Sequence, residues 1–316
     1  MKTSATEVIR RGFESTLANW PLIVARVIES LIGGSLAIAT IVLIVVPIVI
    51  SAGVSSWKLP EGGDPGDAFR TMILDHLGLF AWIGVIFVVL VGAGIAIHAF
   101  VSAGCAAVFV AAERAAAGSE RPRRDAFRAY TQERFFAAAR AGWWRLFWLY
   151  NATWSVGFLF PLVLLVPVLV GTLMMASAEN PWGSVAIGCG GTGLIFFLSL
   201  PVFFVVFMWT QKATILLVDR EMAVRTAMRK GWRLVRADFG MHAAVSVIIV
   251  VIMVGCGAVT SSAATPFMLG MHASNPFTGM FGAVQMGVSL LQNAVTNAVG
   301  CWLLASFAAM TAEPAP

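Results

Sequence analysis

Six apolar stretches, at about 22–50, 78–112, 143–176, 184–218, 241–265 and 281–310, limit what this chain can fold into. Roughly 20 residues of helix, rising about 1.5 Å each, cross the hydrocarbon of a bilayer. Each stretch is long enough, and several exceed the hydrocarbon thickness, so tilt or continuation into the interface is expected. Only 12% of the residues are charged, against about a quarter in an ordinary soluble domain. The expected fold is therefore all-α and polytopic: six transmembrane helices in one integral membrane domain over residues 1–316. The first stretch is too long for a signal-peptide core and no small-residue cleavage site follows it, so it is expected to be a retained span.

Charge sets the expected orientation. Of the 21 basic residues, all but Lys58 and Arg70 fall before or just inside the first span, in the second–third connection, or in the fourth–fifth connection. The fourth–fifth group includes Lys212, Arg220 and Arg225. Cationic loops stay in the cytoplasm, so both termini are expected there, and the formal charge of +5 reflects this asymmetry. No soluble domain presents a groove for nucleic acid, and no nucleic-acid partner is expected.

Three polar segments on that side, roughly 4–18, 123–140 and 220–237, are too periodic for loops. In the last, Arg225, Arg229, Arg233 and Arg236 share one helical face, and Val224, Met228, Trp232 and Val235 fall on the other. Such an amphipathic helix lies in the membrane plane with its cations toward anionic headgroups. Arg124 and Arg128 of the middle segment are candidates for the same role.

The three segments also align without gaps. Arg10-Arg11-Gly12-Phe13 matches Arg124-Asp125-Ala126-Phe127 and Arg229-Lys230-Gly231-Trp232, and seven residues after the small one stands Asn19, Glu133 or Asp238. The spacing of the copies corresponds to one surface helix plus two spans. This predicts three repeated units, about 4–112, 123–218 and 220–310, each an interfacial helix plus a transmembrane hairpin in the same orientation. Asn19 and Asp238 are good N-caps for the descending spans, and Pro21 suits a first helical turn. Glu133 is a poor cap, and convergence of the three on a site is the less favoured alternative.

Polar residues inside spans are costly and therefore informative. Arg26 and Glu29 are close enough to pair on one helix face. His98 sits well inside the second span, where a hydrogen bond to a neighbouring helix is favoured over a proton relay. Gln285, Ser289, Gln292, Asn293, Thr296 and Asn297 form a stripe on the sixth span. Interhelical hydrogen bonding explains that stripe most simply, and a polar pathway is the alternative. Pro47, Pro161, Pro167 and Pro201 fall within spans, where kinks are expected.

Several chemistries find no support. Cys105, Cys189, Cys256 and Cys301 occupy four different spans without metal-ligand spacing and read as packing residues. The run GCGGTG at 188–193 lacks the Lys-Ser/Thr of a phosphate loop and reads as close helix packing. Ser55-Ser56-Trp57-Lys58 has an acyl-enzyme spacing but no folded domain to build an oxyanion hole. With no His-Glu-x-x-His pair, nucleophile elbow or acidic metal cluster, neither an enzyme, nor a metal, nor another cofactor is expected.

The stretch ATILLVDREMAVRTAMRKGWRLVRADFG, 213–240, resembles a recurring feature of a loose family of bacterial six-span proteins. These include the membrane domain that precedes some glycerophosphodiester phosphodiesterases, and stand-alone relatives. The matching features are Asp219 ending a span, Ala223 and Ala227, Arg229, the aromatic Trp232, and Asp238 opening the next span. The resemblance implies a multi-pass protein of the bacterial inner membrane. The phosphodiesterase barrel has no counterpart in these residues, so that activity is not implied. The expected role is structural or interactive, with anionic phospholipid as partner. A transporter or channel using His98, Arg26, Glu29 and the sixth-span amides is the alternative.

Overall fold

The computed structural model describes residues 4–54, 77–117, 122–177, 181–272 and 278–311. Helix α1 is Ala5–Ala18, α2 Pro21–Val54 and α3 Leu77–Ala116, followed by a 3-10 turn, Arg124–Phe127. Then come α4 Gln132–Ser177, the short α5 Pro181–Val185, a π-helical turn Ala186–Gly190 and α6 Gly191–Asp219. The chain ends with α7 Val224–Ala237, α8 Phe239–His272 and α9 Thr278–Ala309. No strand occurs among the described residues.

Six helical stretches among the described residues are long and apolar enough to cross a membrane: Pro21–Val49, Leu77–Ala116, Gln132–Thr172, Trp182–Asp219, Phe239–Ser262 and Met280–Ala309. Large apolar side chains such as Val88, Val163, Phe197 and Val259 stand exposed on them. Water disfavours such surfaces and lipid does not, so the six stretches support a multi-pass membrane protein.

By its contacts the chain divides into two compact units, Val27–His98 on the one hand and Met1–Arg26 with Ala99–Pro316 on the other. In the smaller unit α2 and α3 run antiparallel, and the Trp82 indole donates to the Leu43 carbonyl at 3.1 Å.

The larger unit buries its core where the C-terminal ends of α3, α6 and α9 meet. Phe109, Leu216 and Phe307 are among its fully enclosed side chains, with Leu22, Phe127 and Val235 around them. Polar contacts tie the same ends together. Arg114 pairs with Asp219, and Lys212 Nζ donates to the Met310 carbonyl at 3.1 Å and to Thr311 Oγ1 at 2.9 Å. Lys212 therefore does not belong to a connection, as its charge suggested. It is 2% exposed inside α6, and the terminal carbonyls of α9 attract a cation as any helix C-terminus does.

Two surface helices dock on these ends in the same way. Ser4 caps α1 by accepting from the Glu7 amide, and α1 then lies against α9 with Gly12 over Ser306. The Trp302 indole donates to the Ile9 carbonyl at 2.8 Å, and the Phe13 ring meets Trp302 edge-on at 5.1 Å. Helix α7 lies against α6 with Gly231 over Ala213. There the Trp209 indole donates to the Met228 carbonyl at 2.8 Å, and Trp232 meets Trp209 at 5.8 Å. Every position in one set corresponds to a position in the other.

The glycines are needed for close approach, though unequally. A Cβ at Gly12 would lie 2.8 Å from the Ser306 amide nitrogen and 2.2 Å from its Oγ, whereas one at Gly231 would meet the Ala213 nitrogen at 3.1 Å. Alanine gains about 1 kcal/mol of helix propensity over glycine at either place. At Gly231 small shifts offset the crowding. At Gly12 the overpacking costs roughly 1–3 kcal/mol and wins. Thermal unfolding in detergent should therefore show Gly12→Ala less stable than Gly231→Ala; equal stability would contradict the packing described.

The middle segment departs from expectation. Instead of a surface helix over 123–140, a single 3-10 turn is followed by non-helical chain at 128–131, and α4 then runs without a break into its span. The cause is Asn19. Its Oδ1 accepts from the amides of Ala129 and Tyr130 at 2.9 and 2.8 Å, and its Nδ2 donates to the Phe127 and Ser15 carbonyls, both at 2.8 Å. These amides are thus unavailable to a helix through 129 and 130. Asn19 ends α1 rather than capping α2 with its side chain, and it is completely buried.

The other two expected turning points also differ. Thr131 Oγ1, not Glu133, accepts from an amide at the start of α4, that of Arg134 at 3.1 Å. Asp238 ends α7, and its carbonyl accepts from the His242 amide at 3.2 Å. Glu133 and Asp238 are exposed while Asn19 is enclosed, so the three do not form a common site.

Candidate functional site

Helix α7 is placed by the reversal at its start and by its seat on α6. Glu221 has a left-handed backbone (φ 48°), which turns the chain out of α6, and Arg145 of α4 donates to its carbonyl at 3.0 Å. Ala227, Gly231 and Val235 are then buried, and Arg225, Arg229, Arg233 and Arg236 are all exposed. Among the described residues none of these four arginines has a hydrogen-bond or ion-pair partner.

Many other cations of the chain are engaged. Arg10 pairs with Glu7 at 2.7 Å, and this hydrogen bond pushes the already high Arg10 pKa further up, so its charge is permanent. Arg11 pairs with Glu113 at 2.7 Å. Arg124 donates to the Leu17 carbonyl at 2.9 Å, and Arg128 reaches Asp125 at 3.4 Å with both side chains mostly exposed. Arg124 is thus partly occupied in closing the end of α1, whereas Arg128 keeps most of its charge facing outward. An exposed pair of this kind holds its partners weakly.

The polar residues inside the spans fall into separate contacts. In the smaller unit His98 Nδ1 lies 2.6 Å from Glu29 Oε1, with Glu29 the more enclosed of the two. In the larger unit Arg26 donates to Ser102 Oγ at 3.0 Å. On α9, Asn297 Nδ2 donates to the carbonyl and to the Oδ1 of Asn293, each at 2.9 Å and within one helix. Thr296 is exposed and Gln292 half-buried. Gln285 is half-buried too, with its Oε1 enclosed and lacking a hydrogen-bond partner among the described residues.

Sequence reasoning missed the most enclosed charges. Glu113 is 1% exposed; its Oε2 accepts from Arg11 Nε and Nη2, and its Oε1 is buried without a partner among the described residues. The Arg11 guanidinium also sits over the Phe127 ring, 5.7 Å from its centre. His242 is buried beside Phe307, with Nδ1 2.8 Å from the Asp238 carbonyl. The available signal was an acid at the end of an apolar run, AVFVAAE, which nothing local explains.

None of the four cysteines forms a disulfide; Cys105 and Cys301 are buried and Cys189 is exposed. Of the glycine run 188–193, Gly188 and Gly191 pack on α4, where a Cβ at Gly191 would lie 2.8 Å from Val168, whereas Gly190 and Gly193 have no neighbour within 4 Å of such a Cβ among the described residues. Ser55, Ser56, Trp57 and Lys58 lie outside the described residues. No group of histidine, cysteine or acidic side chains that could hold a metal occurs among the described residues. No family model matches this chain, and no curated protein and no solved structure is similar to it.

Proposed function

We propose that this chain is an integral protein of the bacterial inner membrane that engages anionic phospholipid through α7, assisted by Arg128 and the exposed part of Arg124. Its role is structural or interactive rather than catalytic, and both termini lie on the cytoplasmic side. The observation that carries this reading is the set of four exposed arginines on α7 with no partner among the described residues. A long side chain held out on one face of a helix, next to the end of a span, is placed where headgroups lie. The matching docking of α1 on α9 and of α7 on α6 supports repetition of the first and third units, each an amphipathic helix with a transmembrane hairpin, while the middle unit has a 3-10 turn in place of that helix.

A cation near an anionic leaflet contributes about 1 kcal/mol, which corresponds to a roughly fivefold preference for a charged lipid. Spin-labelled phosphatidylglycerol should therefore be immobilised by the reconstituted protein in preference to spin-labelled phosphatidylcholine. Changing Arg225, Arg229, Arg233 and Arg236 to glutamine should bring that preference close to one, and high salt should do the same to the wild type. An unchanged preference in the fourfold variant would remove the basis for this reading.

A transporter is the second reading, and the contact of His98 with Glu29 favours it, because a histidine against a carboxylate inside a span can pass a proton. This reading requires water along α9. Cysteines at positions 285, 292 and 296 would then react with a water-soluble thiol reagent, and protection at all three would exclude it.

A further inference from the structure

We infer that α4, α6 and α7 hold one acyl chain of an anionic phospholipid in a preformed groove, with its headgroup on the arginines of α7. This rests on the lipid reading above and adds a defined site to it. The groove is open and has a volume of about 350 Å³, near the low end of the roughly 300–1,000 Å³ of small-molecule pockets. Val156 of α4 forms one wall, and Pro201, Val202, Val205 and Val206 of α6 form the other. Trp209 and Trp232 line it as well.

The lining is suited to hydrocarbon and to little else. It has no charged or hydroxyl side chain, and the Trp209 indole N–H is already bonded to the Met228 carbonyl. The walls are also firm. A Cβ at Gly157 would already lie 3.4 Å from the Phe203 ring, and Phe158 packs edge-on against Phe203 at 5.6 Å. A dry concavity opening from an apolar span into a bilayer is filled by whatever apolar chain is next to it.

Charge complementarity selects the occupant. At about 100° per residue, Trp232 lies on α7 at the border between its two faces, with Arg236 one turn ahead and Arg229 one turn behind. The groove thus runs from the apolar interior of α6 toward exposed guanidinium groups that have no other partner among the described residues. A phospholipid with an anionic headgroup matches both ends, whereas an apolar peptide or a second copy of the chain would satisfy only the groove.

Native mass spectrometry of the full-length protein, washed in detergent and supplied with phosphatidylglycerol and phosphatidylethanolamine, tests the proposal. The wild type should retain one phosphatidylglycerol. Val202→Trp and Val205→Phe, which fill the groove, should each reduce retention of both lipids at least tenfold. Arg229→Gln with Arg236→Gln should abolish the preference for phosphatidylglycerol yet leave a lipid bound. Filled variants that unfold at the wild-type temperature and still retain lipid would overturn the groove, whatever happens to the arginine variants.

Quenching gives a second measurement that needs no filled groove. Phosphatidylglycerol brominated along its acyl chains should quench the wild type more than Trp232→Phe, because that indole lines the site; equal quenching would also overturn the proposal. The two readings can fail separately. Loss of retention in the filled variants, with no effect of the four arginines on lipid preference, leaves the groove standing and removes the surface reading.

Discussion

Replacing Asn19 with alanine is expected to lower the unfolding free energy by roughly 3–5 kcal/mol, one of the largest losses any single side chain of this protein can cause. The amide joins the end of α1 to the chain at 127–130 through three hydrogen bonds and returns a fourth to the Ser15 carbonyl within α1. Alanine would leave the Phe127 carbonyl and the amides of Ala129 and Tyr130 without partners, at about 1–3 kcal/mol for each buried group. Water reaches the half-buried Tyr130, which keeps the total below the upper sum. Aspartate is not a remedy, since one of its oxygens would face the Ser15 and Phe127 carbonyls. Thermal unfolding in detergent gives the magnitude, and hydrogen exchange gives the place: the amides of Ala129 and Tyr130 should lose protection first. A loss under about 1 kcal/mol, or uniform exchange, would contradict this account.

The second large effect concerns Arg11 and Glu113, and its sign depends on how many partners are removed. Breaking a buried pair on one side costs about 3–5 kcal/mol, while replacing both partners with apolar residues of similar volume is often neutral or stabilising. Arg11→Met strands a carboxylate that is 1% exposed, whereas Glu113→Leu leaves an arginine that is 19% exposed and can turn toward water. The methionine variant should therefore be the less stable of the two. The double variant should recover most of the loss, the more so because Glu113 Oε1 is already unsatisfied among the described residues. A double-mutant cycle measures this coupling. Additive losses would mean that the two side chains act independently.

How far the fold was legible in the sequence follows from the range of the interactions involved. The six spans were readable because length and apolar content act locally. Helix α7 was readable too, since Arg225, Arg229, Arg233 and Arg236 recur with the helical period. The non-helical chain at 128–131 was not, because the Asn19 side chain that holds it comes from more than a hundred residues away. A helical pattern in RDAFRAYTQERFF gave the wrong expectation for the same reason. Lys212 looked like a loop cation because its partners lie at the end of α9.

The candidate site was legible in part. Composition separates the arginine face of α7 from its apolar face, but only the packing shows that these arginines lack partners among the described residues while Arg10, Arg11 and Arg114 have them. The groove was not legible at all. Val156 and Val202 are ordinary span residues, and only the approach of α4, α6 and α7 makes them walls.

The central claim, that α7 rests at the headgroups of an anionic leaflet, is open to one direct measurement. A nitroxide placed at Thr226, which is exposed beside the arginines without replacing any of them, reports the depth of the polar face. A nitroxide at the half-buried Met228 reports the docked side. With Cys189 and Cys256 replaced by alanine and the protein in phosphatidylglycerol vesicles, the label at 226 should sense a headgroup-bound relaxation agent strongly, and less so in phosphatidylcholine, while the label at 228 is more shielded in both. A label at 226 that samples bulk water equally in the two lipids would contradict the account.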